Sequence, residues 1–196
     1  QREGIEPNKP TILCLLKSFS AAGDLDQVRL IHAYILFEHG ASDKFIDNTL
    51  IDGYSKCGSV MDALKVFYGL QKPDIVSWNA MIAGYAECEL GDEALDFFKK
   101  MQDARVCPNV VTYVCVLKAC GIVGSLNIGE DIDANVRKQG LLHKDVVLST
   151  ALLDMYAKCG VMEKATEIFE HIPVREVASW NAFMTGYAQL GQAMVV

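Results

Sequence analysis

The stretch Ser77–Ala86, SWNAMIAGYA, decides the fold, because it recurs almost unchanged as Ser179–Ala188, SWNAFMTGYA. Seven of the ten positions are identical, and the two copies begin 102 residues apart. In both copies apolar residues fall at i, i+3, i+4 and i+7, which is the spacing of one face of an α-helix. Long-period repetition of helical segments is typical of an array of stacked helical units rather than of a single globular core.

The whole chain divides into repeats of three alternating kinds. The long kind shares TILCLLKS with TYVCVLKA, and the short kind shares NTLIDGYSKCG with TALLDMYAKCG. The five complete repeats are 35, 31, 35, 36 and 31 residues long, and the chain is expected to be a fragment of a longer protein. The predicted boundaries are 1–8 (tail of a preceding repeat), 9–43 (long), 44–74 (short), 75–109 (standard), 110–145 (long), 146–176 (short) and 177–196 (truncated standard).

Each repeat is predicted to fold as two antiparallel helices, helix A followed by helix B. Gly58 and Gly160 stand where helix A ends in a left-handed residue, and Ser59 with Asp62 predicts a capping pair for the next helix. No strand pattern interrupts the helices, so the expected fold is an all-α solenoid of stacked helix pairs. The expected N-caps of helix A are the hydroxyl residues Thr11, Ser77, Thr112 and Ser179.

The composition restricts the classes of function. A formal net charge of −7 argues against indiscriminate nucleic-acid binding but leaves room for a local basic stripe. No apolar run reaches the roughly 18 residues that a membrane span needs, and the first residues contain no targeting signal. The seven cysteines form no C-x-x-C pair, which favours free thiols in a reducing compartment over zinc ligands or disulfides. Neither a metal nor a cofactor is expected.

Four motifs, VSWNAMIAGYA, VLKACG, LLDMYAKCG and GIEPN, together with the alternating repeat lengths, resemble the pentatricopeptide-repeat proteins. The resemblance is to the PLS class, in which long, short and standard repeats alternate. It implies a right-handed superhelical α-solenoid that binds single-stranded RNA in mitochondria or chloroplasts, mostly to specify sites of cytidine-to-uridine editing. The implied partners are an organellar transcript and proteins of an editing complex, with no membrane and no small-molecule substrate.

The resemblance also implies which residues contact the bases, at about one base per repeat. In this family the fifth and the last residue of a repeat contact the base edge. Asn48 with Asp74 therefore implies uridine, and Asn79 with Asn109 implies a pyrimidine, cytidine more than uridine. An amide suits this role because it offers both a donor and an acceptor.

The remaining repeats match the family pattern less completely. Thr150 suggests a purine, but Glu176 departs from the usual Asp or Asn and leaves the choice open, while Asn181 suggests another pyrimidine. Leu or Val in the fifth position cannot hydrogen-bond to a base, so the long repeats are expected to act as spacers. Their pairs are Leu13/Asp43 and Val114/Asp145.

The helix pattern gives these residues an orientation. Asn79 and Asn181 follow the tryptophans by one residue, off the apolar stripe, so their amides are predicted to point away from the core; the alternative to base contact is a solvated surface amide. Trp78 and Trp180 are predicted to be core residues rather than platforms for a base.

The base face and the phosphates have candidate partners too. The second residue of a repeat packs against the base in the family, and the candidates are Phe45, Val76, Val111 and Val147, with Pro10 and Ala178 at the same position. Lys56 and Lys158 lie where the family places a phosphate-contacting lysine. Complementation of the helix dipole explains the two lysines equally well, and both interpretations stay open.

Catalysis has no support in this sequence. A deaminase needs H-x-E and P-C-x-x-C elements, and neither occurs, nor does a phosphate-binding G-x-x-x-x-G-K loop or a G-x-S-x-G elbow. The chain is therefore expected not to be an enzyme but the RNA-recognition part of an editing factor. The alternatives are a protein-binding helical-repeat scaffold, and an RNA stabilisation or splicing factor.

Overall fold

The computed structural model describes residues 7–39, 43–142 and 144–193, and the regular structure of those residues is entirely α-helical. Most of the predicted tail at 1–8, residues 40–42, residue 143 and the last three residues therefore lie outside the described part. The helices of the described residues are α1 Lys9–Ala21, α2 Leu25–His39, α3 Lys44–Lys56, α4 Val60–Gly69, α5 Ile75–Glu87, α6 Gly91–Asp103, α7 Val110–Val123, α8 Leu126–Lys138, α9 Val146–Lys158, α10 Met162–His171 and α11 Val177–Ala193.

The helices belong to two compact units, Gln1–Cys88 and Glu89–Val196, here called the N-terminal and the C-terminal unit. In the N-terminal unit the A helices α1, α3 and α5 pack side by side in chain order. The B helices α2 and α4 each pack on their own A helix and on the next one. The C-terminal unit repeats this plan, with α7, α9 and α11 as A helices and α6, α8 and α10 as B helices. Each unit is thus a two-layer stack of helical hairpins.

The A helices approach each other closely through small residues. A Cβ atom added to Gly84 of α5 would lie 2.1 Å from Ser55 Oγ of α3, and one added to Gly53 would lie 2.6 Å from Ser20 Oγ of α1. In the C-terminal unit a Cβ on Gly186 would lie 2.7 Å from the Cβ of Ala157. Gly84 and Gly186 are one of the identical pairs of the opening motif, so the motif encodes the contact between neighbouring A helices.

The helix caps correct one sequence prediction. Asp74, not Ser77, is the N-cap of α5: its Oδ1 accepts hydrogen bonds from the backbone N–H groups of Val76 and Ser77 at 3.0 and 3.1 Å. Ser77 sits three residues inside the helix, and its Oγ accepts from the Asp74 N–H at 3.3 Å, completing a capping box. Asn109 caps α7 with the same kind of box, and Asn8 caps α1 by accepting from the Thr11 N–H.

The other cap predictions have mixed outcomes. The left-handed conformation of Gly58 and Gly160 is confirmed, with φ of +74° and +77°. Ser59 is the N-cap residue of α4 as predicted, but its side chain makes no cap bond. Its Oγ donates instead to Asp62 Oδ2 at 2.9 Å, because Asp62 is held nearby by Arg29 and Lys65.

The two tryptophans differ in burial. Trp78 is buried and packs edge-on against Phe67 with ring centroids 4.8 Å apart, so its predicted core position is confirmed. Trp180 packs against Phe169 at the same centroid distance but keeps 47% of its surface exposed, so the prediction is wrong for Trp180. Its helix, α11, is followed by no other helix among the described residues, so one side of the indole stays open.

Candidate functional site

The first turns of four A helices each expose an apolar side chain. The side chains are those of the second residues of the predicted repeats, and they are exposed in both units. Pro10 and Ala178, at the same position of α1 and α11, are exposed as well. The free energy falls when large apolar groups leave water, so a surface of this kind is suited to cover a flat ligand. The four residues are Phe45, Val76, Val111 and Val147.

Asn48 has hydrogen-bonding capacity that the fold does not use. It lies on α3 one turn beyond Phe45 and is half-buried. Its Oδ1 is shielded from solvent and has no hydrogen-bond partner among the described residues. Buried acceptors are nearly always paired, and leaving one unpaired costs about 1–3 kcal/mol. A donor group of a ligand next to α3 would relieve that cost if the Asn48 side chain turned its Oδ1 out to solvent.

The other fifth-position residues have different surroundings. Asn79 is buried, so the prediction that its amide points away from the core is wrong. Helix A packs on several neighbours at once, and a single apolar stripe therefore underestimates how much of it is covered. Thr150 is half-buried with its Oγ1 3.0 Å from Ser179 Oγ, and Asn181 is exposed as predicted. Leu13 and Val114 are half-buried.

The last residues of the repeats cap the next A helix. Asp43 Oδ1 accepts from the Phe45 N–H at 2.8 Å, and Asp145 Oδ1 accepts from the Leu148 N–H at 2.9 Å. Asn109 Oδ1 accepts from both the N–H and the Oγ1 of Thr112 at 3.0 Å. The capping bond uses one polar atom of each side chain, and the second atom of Asp43 and of Asp74 contacts a lysine instead. For an Asp that atom is an oxygen, and for an Asn it is the Nδ2 donor. Glu176, which directly precedes α11, is exposed.

Two lysines that the sequence interpretation missed hold the cap carboxylates. Lys9 Nζ donates to Asp43 Oδ2 and also lies 4.7 Å from the centre of the Phe45 ring. Lys44 Nζ lies 3.4 Å from Asp74 Oδ2. Hydrogen bonding from Lys9 lowers the pKa of Asp43. Burial alone would raise the pKa of Asp74, but hydrogen bonds from Ser77 and Lys44 lower it overall. Both ion pairs join the first residue of a repeat to its last, and this recurrence in two consecutive repeats could have been found in the sequence.

The two candidate phosphate-contacting lysines are already paired. Lys56 Nζ donates to Asp52 Oδ2 at 2.7 Å, and Lys158 Nζ lies 2.8 Å from Asp154 Oδ2. The hydrogen bond that Lys56 donates to the Asp52 carboxylate raises the pKa of Lys56. Both lysines are exposed, so a phosphate can still approach them. The D-x-x-x-K spacing in the sequence is a recognised i, i+4 ion-pair signal and could have predicted these contacts.

Metal and membrane sites find no support in the described part of the chain. No group of three or more His, Cys, Asp or Glu side chains there is placed to hold a metal ion. The seven cysteines are free thiols, of which Cys120 is buried while Cys14 and Cys107 are exposed. None of the helices within these residues is both long and apolar enough to cross a bilayer.

Comparison with known proteins identifies the repeats. The PPR repeat family model matches residues 73–121, and the PPR repeat model matches residues 48–72 and 147–177. A chloroplastic pentatricopeptide repeat-containing protein of Arabidopsis thaliana is 34% identical over 94% of this chain and 30% of the relative. A mitochondrial one from the same plant is 35% identical over 97% of this chain and 29% of the relative. The chain thus spans about a third of the length of these curated relatives.

Solved structures resemble the fold. The pentatricopeptide repeat protein PPR10, crystallised in complex with an 18-nucleotide psaJ RNA element, aligns with 96% of this chain and 28% of its own, with a TM-score of 0.77 and 18% identity. The nuclear protein-only RNase P 2 of Arabidopsis thaliana aligns with 92% of this chain and 42% of its own, with a TM-score of 0.63 and 14% identity. The prediction of an all-α solenoid is confirmed, and the chain belongs to the pentatricopeptide-repeat family.

Proposed function

We propose that this chain binds single-stranded RNA with about one base per repeat, as the recognition part of an organellar cytidine-to-uridine editing factor. The observation that supports it best is the recurring geometry of the A helices. Each of α3, α5, α7 and α9 begins with a capping Asp or Asn, followed two residues later by an exposed apolar side chain. Because the first turn of each of these helices presents the same set of groups, successive bases could meet the same chemistry.

The N-terminal unit illustrates the proposed contact. A uridine would lie against the exposed Phe45 side chain, since an aromatic or aliphatic surface accepts any base face. Asn48 would turn its unpaired Oδ1 out of its shielded position to meet the base edge. The Asp74 oxygen that is not used in the cap would accept a hydrogen bond from the base or from the Asn48 amide. Lys44 and Lys56 supply positive charge at the two ends of α3.

The relatives support the cellular setting of the proposal. PPR10 is seen with bound RNA, and the Arabidopsis relatives carry chloroplastic or mitochondrial names, which favours an organellar transcript as ligand. Editing rather than stabilisation or splicing is inferred from the resemblance to the PLS class. The deaminase and other editing-complex proteins would then act beside this chain, which itself would contribute no catalytic group.

The proposal is tested by base preference. The 196-residue chain, wild type and Asn48→Thr, would be titrated with single-stranded RNAs that differ at one nucleotide, by filter binding at two salt concentrations. Asn48→Thr should move the preference at that nucleotide from uridine to a purine by about five- to 150-fold. Asn127→Thr, at an exposed position of the B helix α8, is the matched control and should change nothing. Absence of RNA binding would reject the proposal and favour the protein-binding scaffold.

A further inference from the structure

The B helices of the N-terminal unit expose large apolar side chains. Leu30 and Phe37 of α2 are 63% and 86% exposed, and Met61 and Tyr68 of α4 are 68% and 65% exposed. Each pair is separated by seven residues, which places its members on the same side of a helix. The Arg29–Asp62 ion pair, 2.7 Å between Nη2 and Oδ2, joins α2 to α4 next to Leu30 and Met61. These four residues are called the α2–α4 surface below.

The C-terminal unit provides an internal comparison. Its helices α8 and α10 have the same place in the repeat pattern and keep apolar residues at the buried positions, as Ile35 with Val136 and Phe67 with Phe169 show. The four exposed positions differ between the units: each apolar residue of the N-terminal unit is replaced by a charged residue in the C-terminal unit. Exposed apolar groups in B helices are therefore not required by the fold. The four replacements are Asp131, Lys138, Glu163 and Glu170.

A basic cavity adjoins this surface. A cavity of about 750 Å³ lies between α2, the start of α3 and the end of α4, with Leu36 in its wall. Lys44, Lys65 and Lys72 line it, against one carboxylate, Asp47. Lys65 Nζ is 2.9 Å from Asp62, and Lys44 is near Asp74 as described. No ion pair is recorded for Lys72 within the described residues.

In the C-terminal unit an ion pair spans the position that corresponds to this cavity. The residues that correspond to Leu36 and Lys65 are Arg137 and Glu167, and their side chains form an ion pair of 3.0 Å. The positions of Lys44 and Lys72 are occupied by valines there. Both the apolar surface and the cluster of lysines are thus specific to the N-terminal unit.

We propose that the α2–α4 surface and its cavity bind an acidic amphipathic segment of a partner protein. Apolar side chains of the segment would cover Leu30, Phe37, Met61 and Tyr68, and its carboxylates would enter the cavity to meet the lysines. Two adjacent helices with exposed apolar rows form the kind of groove that receives an amphipathic helix. A local group of lysines in a chain of net charge −7 favours an acidic segment at this place over the rest of the surface.

The chemistry of the surface disfavours RNA as its occupant. A nucleic-acid strand needs cations along its whole path, whereas Leu30 and Met61 are aliphatic and the lysines lie on one side only. None of the four apolar residues occupies the second, fifth or last position of a repeat. The apolar part of the inference therefore stands independently of base recognition, and Lys44 is shared with the proposed RNA site.

The test uses peptides as probes and the C-terminal unit as the guide to substitutions. Random peptides displayed on phage would be selected on the 196-residue chain. One variant carries Leu30→Asp, Phe37→Lys, Met61→Glu and Tyr68→Glu, and a second carries Leu36→Arg with Lys65→Glu. Selected peptides should be rich in Asp, Glu and large apolar residues, and each variant should weaken their binding about tenfold or more. Lys99→Glu, on the exposed side of α6, is the control that should leave binding unchanged.

Other outcomes would overturn the inference. Selected peptides without acidic enrichment, or peptides that bind both variants as tightly as wild type, would show that the surface has no such ligand. A dimer in sedimentation velocity that the fourfold variant abolishes would assign the surface to a second copy of the chain. Loss of single-stranded RNA affinity in the fourfold variant would assign it to RNA. The single change Phe37→Lys repeats the test if the fourfold variant loses its helical circular dichroism.

Discussion

Ser55 of α3 and Gly84 of α5 are so close that a side chain on Gly84 cannot be added without displacement: its Cβ would lie 2.1 Å from Ser55 Oγ and 2.7 Å from Ser55 Cβ. Ser55 Oγ is itself buried without a hydrogen-bond partner among the described residues. The contact holds neighbouring A helices at a fixed separation. That separation in turn sets the distance between successive first turns of the A helices, where the proposed base contacts lie.

Gly84→Ala should lower the free energy of unfolding by about 1–3 kcal/mol, because the added methyl group overpacks the α3–α5 contact. Gly69→Ala is the matched control: a Cβ there meets nothing within 4 Å, so stability should be unchanged or slightly raised. Urea denaturation followed by circular dichroism measures both. Equal effects of the two substitutions would contradict the role of Gly84 in helix packing.

Asp74→Ala should destabilise the chain by about 1 kcal/mol, because the first N–H groups of α5 lose their acceptor. Asp74→Asn keeps an oxygen for the cap and should cost much less. If Asp74 also contacts a base, Asp74→Asn should nevertheless shift RNA preference from uridine towards cytidine, since the outward atom becomes a donor. A variant that changes stability without changing preference would limit Asp74 to capping.

Charge at the ends of the A helices should control RNA affinity. Removing Asp52 and Asp154 with Asn substitutions releases Lys56 and Lys158 from their ion pairs, so RNA should bind severalfold more tightly. Replacing both lysines by Gln should weaken all RNAs alike and flatten the salt dependence by about 0.7 per lost contact. Asp96→Asn with Asp103→Asn, at exposed positions of α6, controls for the same change in net charge. Unchanged affinity in both variants would leave the lysines as helix-end charges only.

His32 should make stability depend on pH. Burial lowers its pKa below the usual 6.5, and its Nδ1 lies 2.9 Å from the Tyr54 hydroxyl. The unfolded chain therefore binds a proton at a pH where the folded chain does not, so stability should be lost as pH falls below about 6.5. His32→Asn should flatten the dependence of the unfolding midpoint between about pH 5.5 and 7.5. A slope that persists in His32→Asn would show that another group titrates.

The helical periodicity made the fold predictable, because apolar spacing and left-handed glycines such as Gly58 depend only on local sequence. The N-caps were misplaced by one turn, since a capping box contains two residues that both suit a cap, Asp74 and Ser77. The burial of Asn79 could not be predicted from the single apolar stripe of α5, because helix A has neighbours on several sides. Base selection by Asn48 stays a prediction, as the contact involves a ligand that the chain does not encode.

The capping of α3, α5, α7 and α9 by the final residue of the preceding repeat also has a consequence for protein engineering. A cut after residue 74 would separate α5 from its cap, so recombined arrays should be joined inside a B helix or its following loop rather than at the repeat border. Because the last residue of a repeat caps a helix and is also proposed to contact a base, fewer residue types would be tolerated at that position. Only residues able to cap a helix could be exchanged there without loss of stability, whatever nucleotide an engineer wished to select.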